Sequence, residues 1–220
     1  MKVGIAAATA FELQPTINFL EKQDFFYGKH EYEVTITGIG VMTAAYHITA
    51  FLKRHQPEYM IQAGIAGTFS DKFSPGAVVM IKEEVLGDLG AEENGQFRDI
   101  FDLGLAQESQ APFTGKRLVN PHLDFWKQYN VPAAIGITVN EITTSSSRAD
   151  NLLHKYNCEI ESMEGAAFRY ICLLEKIPFI QFRSVANYVT ERDKNKWMLK
   201  DAVQNLNDKL ITIIQQLSAQ

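Results

Sequence analysis

The chain has 220 residues, 46% of them hydrophobic, which is enough to bury one sizeable core; a single domain over 1–220 is the economical expectation. The net charge is −5, and the lysines and arginines are scattered, with Lys53-Arg54 and Lys116-Arg117 the only adjacent pairs. No basic stripe is available to displace counterions from nucleic acid or to hold an anionic membrane, and no apolar run reaches the roughly 18 residues of a membrane span. Cys158 and Cys172 have neither metal-ligand nor redox spacing, which fits a reduced cytosol. With no charged leader ahead of the first apolar run, a cytoplasmic protein is expected.

In chain order, the pattern predicts a strand over 2–8, a helix over 12–21, a strand over 33–38 and a helix over 42–55. Strands follow over 58–64 and 77–85. Residues 86–120 are polar and turn-rich and are read as having no secondary structure of their own. Such a segment is functional or disordered; Phe97, Phe101, Leu103 and Leu105, interleaved through it, favour function. The remainder alternates: helix 121–129, strand 133–139, helix 148–155, strand 158–161, helix 162–175, strand 178–185, helix 198–217. Several strands are apolar throughout, as in a mostly parallel sheet covered on both faces. The expected class is α/β, a three-layer αβα sandwich around a twisted mixed sheet.

Ligands of open parallel sheets bind beyond the carboxyl ends of the strands. Those ends carry Glu12, the glycine turns Gly38-Ile39-Gly40 and Gly64-Ile65-Ala66-Gly67, then Asn140-Glu141, Ser162-Met163-Glu164 and Ala186-Asn187. Carboxylates, carboxamides and two glycine loops thus gather on one rim. Each has a plainer reading: the glycines as tight turns, Glu12 as a first-turn residue favoured by the helix dipole. A dinucleotide-binding reading of GIGVMT fails because Glu58 begins the next strand, where the fingerprint needs an acid at its end. The five histidines have no ligand spacing, so no metal is expected. Glu164 is the hardest to explain by structure alone. Placed in the first turn of an apolar helix, on the face of Phe168, Ile171 and Cys172, it needs a polar partner, which helix amides supply in part.

These residues resemble the purine nucleoside phosphorylase and nucleosidase superfamily. MEGAA (163–167), QAGIAG (62–67), TGIG (37–40) and RSVAN (183–187) fall in that family's order and spacing. The hydrolytic branch is closest, and within it GDLGAEENGQF, ESMEGAAF and NYVTERDKNKW are most similar to the futalosine hydrolases. The resemblance implies an enzyme working as a homo-oligomer, a dimer or larger, on a small nucleoside and without a cofactor. It implies N-ribosidic hydrolysis of futalosine to hypoxanthine and dehypoxanthine futalosine, in menaquinone biosynthesis. Carried over, Glu12 activates water, with Arg183 nearby; Glu164 bonds the ribose hydroxyls and Met163 packs on the sugar. Gly67, Ile142 and Asn187 join the substrate-binding set. Asn187 stands where adenine-specific relatives have aspartate, and Ile142 where they have a base-stacking aromatic.

Cleaving an N-ribosidic bond builds positive charge on the sugar, so carboxylates beside the ring suit the chemistry. Three rivals stand beside this reading: a phosphorylase, which would meet the Glu12 carboxylate where phosphate binds; a methylthioadenosine/adenosylhomocysteine nucleosidase, separated by its base; and a non-catalytic nucleoside-binding or storage relative. The 86–120 segment is the candidate to cover the non-purine end of the substrate, across a subunit interface.

Overall fold

A computed structural model describes residues 1–218. The first half alternates as the pattern predicts, with β1 (Lys2–Ala7), α1 (Ala10–Glu21), a short β2 (Phe26–Tyr27) that the pattern does not predict, β3 (His30–Ile36), α2 (Val41–His55), β4 (Tyr59–Thr68) and β5 (Val78–Leu86). Then come β6 (Gly90–Glu93), β7 (Gln96–Asp99), β8 (Leu118–Val119), α3 (Leu123–Trp126), β9 (Ala133–Thr138) and α4 (Ser146–Tyr156). The chain finishes with β10 (Ile160–Ser162), α5 (Gly165–Leu174), β11 (Phe179–Tyr188) and α6 (Leu199–Leu217).

The sheet is mixed, ordered β10-β9-β5-β11-β4-β1-β3-β2, with β8 added to β5. Its centre is parallel: β1 pairs in parallel with β3 and β4, and β11 with β4. Apolar residues of the central strands are shared between the two faces. Ile5, Ile61 and Ala63 meet Leu13 and Leu20 of α1 and Leu206, Leu210 and Ile214 of α6. Ala6 and Met60 meet Ile48 and Phe51 of α2 and Phe168 and Cys172 of α5. The sheet therefore lies between two helical layers, as expected, and needs apolar residues at consecutive positions rather than alternate ones. α6 follows its period closely, burying Ala202, Val203, Leu206, Leu210, Ile213, Ile214 and Leu217 on one stripe.

One closure shapes the site. β10 pairs in parallel with β9 and also antiparallel with the end of β4, Glu161 opposite Gly67. Five strands, β4-β11-β5-β9-β10, thereby curl back on themselves, with β5, β9 and β10 running opposite to β4 and β11.

The 86–120 segment departs from expectation. It contains the β6–β7 hairpin and β8, so it has secondary structure of its own. Its order comes from charge rather than apolar periodicity. Asp102 is bonded by both Lys116 and Lys155, Asp99 Oδ1 accepts from the backbone N–H of Phe101 and Asp102, and Arg117 bonds Glu83 at 3.1 Å. Two smaller differences also appear. The helix expected over 121–129 is one turn of α3 followed by a 3-10 turn (Lys127–Tyr129), and α5 starts at Gly165, leaving Met163 and Glu164 ahead of it.

Candidate active site

Glu12 is the third residue of α1 and reaches back over its own N-terminus. One carboxylate oxygen accepts from the Thr9 backbone N–H at 2.9 Å and the Thr9 hydroxyl at 3.0 Å; the other accepts from the Ile65 backbone N–H at 2.9 Å. A first-turn acid here satisfies helix amides and is favoured by the dipole. The Ile65 bond goes further, tying α1 to the carboxyl end of β4. Gly64 makes this possible, because a methyl group there would overlap Arg183 Nη1 and stand 2.9 Å from Glu12 Oε1.

Arg183 lies on β11, 1% exposed, with Nη2 donating to Gln62 Oε1 at 3.1 Å. Its Nη1 is 3.8 Å from Glu164 Oε2, and its Nε has no hydrogen-bond partner among the described residues. Glu164 occupies the residue before α5 rather than its first turn, and its carboxylate does not cap the helix. That corrects the expected placement on the Phe168 face. Instead its Oε1 accepts from the Gly40 backbone N–H at 3.0 Å. Gly40, with φ near +91°, sits in a left-handed turn open to glycine, and this turn aims the amide at the carboxylate. Burial pushes the Glu164 carboxyl above its ordinary value; Arg183 and the Gly40 amide oppose the shift and the Glu12 charge adds to it.

With Glu164 turned away, the first turn of α5 takes its cap from another strand. The Thr138 hydroxyl on β9 accepts from the Ala166 N–H at 2.8 Å and donates to Glu84 Oε1 at 2.9 Å. Glu84 is fully buried, and desolvation raises its pKa against the pull of Arg169 and Arg183. Arg169, itself wholly buried, donates to the carbonyls of Ile81, Lys82 and Leu118. Sequence reasoning did not single out this layer beneath the site.

The three residues Glu12, Glu164 and Met163 line one cavity of about 410 Å³ together with Gly67, Ile142 and Asn187. Six of the seven residues expected at the site thus face the same space, and Arg183 stands behind them on Glu164. Asn187 is placed by a bulge. β11 follows β4 in register to Val185, then slips by one so that Asn187 opposes Gly67. A bulge re-aims a side chain beside a ligand space. Asn187 Nδ2 donates to the Tyr188 carbonyl at 2.8 Å. Ile142 is 41% exposed on the loop after β9.

Sequence reasoning missed Glu161, Thr143 and the far wall of Val189, Arg192 and Trp197. Glu159 and Glu161 alternate with Cys158 and Ile160, so period alone reads both acids as one solvated edge. The structure separates them. Glu159 bonds the Ile135 N–H and pairs with Lys72, whereas Glu161 is buried and faces the cavity. No residue of 86–120 lines this cavity; within one chain the segment packs on α5 and α4 instead. Among the described residues, no group of three or more His, Cys, Asp or Glu is arranged to hold a metal ion.

Comparison with known proteins agrees with this architecture. The phosphorylase superfamily model matches residues 2–218. The chain belongs to that superfamily. Among curated relatives, the futalosine hydrolase of Thermus thermophilus is 28% identical over 172 residues, covering 77% of this chain and 75% of its own. A 5′-methylthioadenosine/S-adenosylhomocysteine nucleosidase of Shewanella loihica is 28% identical over 162 residues, 70% and 67% of the two chains. The fold matches the native structure of futalosine hydrolase from Helicobacter pylori with a TM-score of 0.82 at 15% identity, over 98% of both chains. It matches equally the Neisseria meningitidis methylthioadenosine/adenosylhomocysteine nucleosidase bound to methylthio-immucillin-A, at 0.82 and 18% identity over 98% and 99%.

Proposed function

We propose that this enzyme hydrolyses the N-ribosidic bond of a purine nucleoside, and that its substrate is futalosine, cleaved to hypoxanthine and dehypoxanthine futalosine in menaquinone biosynthesis. The observation that carries hydrolysis is the charge of the cavity lining, where Glu12, Glu161 and Glu164 outnumber the guanidinium of Arg192, while Glu191 on the same rim is paired with Lys196 at 2.9 Å. Such a lining repels phosphate and stabilises a sugar that is becoming cationic.

The geometry supports the following roles. Glu164 has one oxygen on Gly40 and a loose contact to Arg183, which leaves Oε2 able to accept from a ribose hydroxyl. That bond strengthens as positive charge develops, and a charge-assisted bond of this kind contributes about 1.5–3 kcal/mol. Glu12 holds three donors, and a carboxylate has roughly four lone-pair sites. The remaining site receives the proton of the attacking water, with Glu12 as general base. Met163 packs on the sugar. Asn187 faces the base, and a carboxamide suits a 6-oxopurine because its NH2 donates to O6 while its carbonyl accepts from N7–H. Aspartate there would meet O6 lone pair to lone pair.

A methylthioadenosine/adenosylhomocysteine nucleosidase is the second reading, favoured by relatives as similar as the hydrolase. Incubation with futalosine, inosine and methylthioadenosine without phosphate, followed by identification of the released base, separates them. Hypoxanthine from futalosine is expected; efficient adenine release overturns the assignment, and a strict phosphate requirement moves the chain to the phosphorylases.

The working form proposed is a cytoplasmic homo-oligomer. Met42, Tyr46 and Leu105 are 82%, 71% and 74% exposed, and an apolar groove between α2, α5 and the 86–120 segment adjoins them. In that assembly the 86–120 segment of one copy is proposed to cover the non-purine end of the substrate in the other. Light scattering on the purified protein tests this, and a monomer at micromolar concentration refutes it.

A further inference from the structure

Gly67 stands between two polar side chains. On one side β10 places Glu161 opposite it, and on the other the bulge of β11 places Asn187 opposite it. Adjacent strands are about 4.8 Å apart, so the two backbones are separated by roughly 10 Å across a residue with no side chain. Both flanking residues line the cavity, and a Cβ on Gly67 would stand 3.1 Å from Val189 Cγ2 and 3.7 Å from Asn187 Nδ2, so Val189 packs over the glycine between them.

Glu161 is 7% exposed. Its Oε1 accepts from the Thr143 backbone N–H at 3.2 Å, while its Oε2 has no hydrogen-bond partner among the described residues. The neighbouring Ser162 hydroxyl is likewise unpartnered. A buried carboxylate oxygen without a donor is costly, and the pattern is what a site looks like when the ligand brings the donor. Asn187 has the opposite polarity to offer, since the amide hydrogen not held by Tyr188 can donate.

We infer that Glu161 determines base specificity, accepting a hydrogen bond from N1–H of a 6-oxopurine while Asn187 donates to its O6. The inference rests on the nucleoside-hydrolase reading above and names the second contact of that same site. The two atoms are neighbours on the base and differ in polarity, so one acceptor and one donor read them together. Adenine fails on both: its N1 is a lone pair facing a carboxylate, and its amine faces the Asn187 NH2. Burial raises the Glu161 carboxyl, with Thr143 and Arg148 pulling it back and Asp88 reinforcing the rise. A donor delivered by the base further favours the ionised form.

The test measures dissociation constants of the free bases hypoxanthine, adenine and 1-methylhypoxanthine for the unmodified enzyme and for Glu161→Gln, with melting curves for both. Loss of a buried polar pairing is expected to weaken 1-methylhypoxanthine and adenine on the order of 10²-fold relative to hypoxanthine in the unmodified enzyme. In Glu161→Gln the hypoxanthine-to-adenine ratio should collapse to within about tenfold, because a carboxamide turns either its carbonyl to N1–H or its NH2 to N1. A ratio unchanged in a variant that melts normally overturns the inference and makes Glu161 a prop for Thr143. Equal binding of hypoxanthine and its 1-methyl derivative by the unmodified enzyme overturns it too, without any variant having to fold. Preference of the unmodified enzyme for adenine sinks the 6-oxopurine reading itself, whereas hypoxanthine release with a Glu161-independent ratio sinks this inference alone.

Discussion

On one side of the cavity Glu12, Glu164 and Arg183 are held by backbone amides and by a buried glutamine, and Arg183 is 1% exposed. On the other side Ile142 is 41% exposed on a loop, and Asn187 owes its position to a one-residue slip of β11. In the proposed reading the first wall meets the sugar and the second meets the base. The contrast teaches where change is tolerated: charge stabilisation needs groups fixed before substrate arrives, whereas base choice depends on which donor or acceptor a bulge or strand end presents.

The strongest way to break the contrast is at Glu12. Glu12→Gln keeps the acceptor carbonyl but cannot take a proton, so kcat should fall on the order of 10²–10⁴-fold with binding largely intact, measured as base release in single and multiple turnover. Glu164→Gln comes next. Losing a charge-assisted bond of about 1.5–3 kcal/mol predicts a fall of roughly 10–150-fold, in kcat more than in KM. If that variant were fully active but less stable, Glu164 would be structural.

Asn187→Asp addresses the other wall and should move the preference toward 6-aminopurine nucleosides by about tenfold or more, with much less effect on the rate of the best substrate. Comparable loss on every base would show that the two walls do not divide the work.

The smallest effect is in pH. The Glu164 carboxyl lies above its ordinary 4.5 in the free enzyme, so the acid limb of kcat/KM should lie above that value too. The sign for stability is opposite to that of a salt-bridged acid. The folded protein holds a proton that the unfolded chain releases, so this group's contribution falls as pH rises from 4.5 through the raised value. Melting temperatures of the unmodified enzyme should therefore drop relative to Glu164→Gln over that window.

Much of this was legible in the residues. The apolar strands, the alternation with helices and the gathering of Glu12, Glu164 and Asn187 on one rim all follow from period and from the rule that sites lie beyond strand ends. What escaped was set by pairing between distant segments. Glu161 is indistinguishable from Glu159 until β10 lies beside Gly67. The order of 86–120 rests on Asp99 and Asp102 meeting Lys116 and Lys155, a set of charges with no spacing to read. The start of α5 was misjudged because its cap lies 28 residues away on Thr138.

That borrowed cap has a consequence for how the enzyme can evolve. Residue 164 is relieved of the duty that the position before a helix normally carries, and Thr138 with Glu84 discharges it from the sheet. Foldability and chemistry are thereby lodged in different residues. Substitutions at 138 should reduce how much protein a cell accumulates, with Thr138→Ser the tolerated exception, while substitutions at 164 should silence the reaction in protein of normal abundance. A descendant lineage can therefore abandon or replace the reaction by changing one buried acid and still inherit an intact, well-folded scaffold.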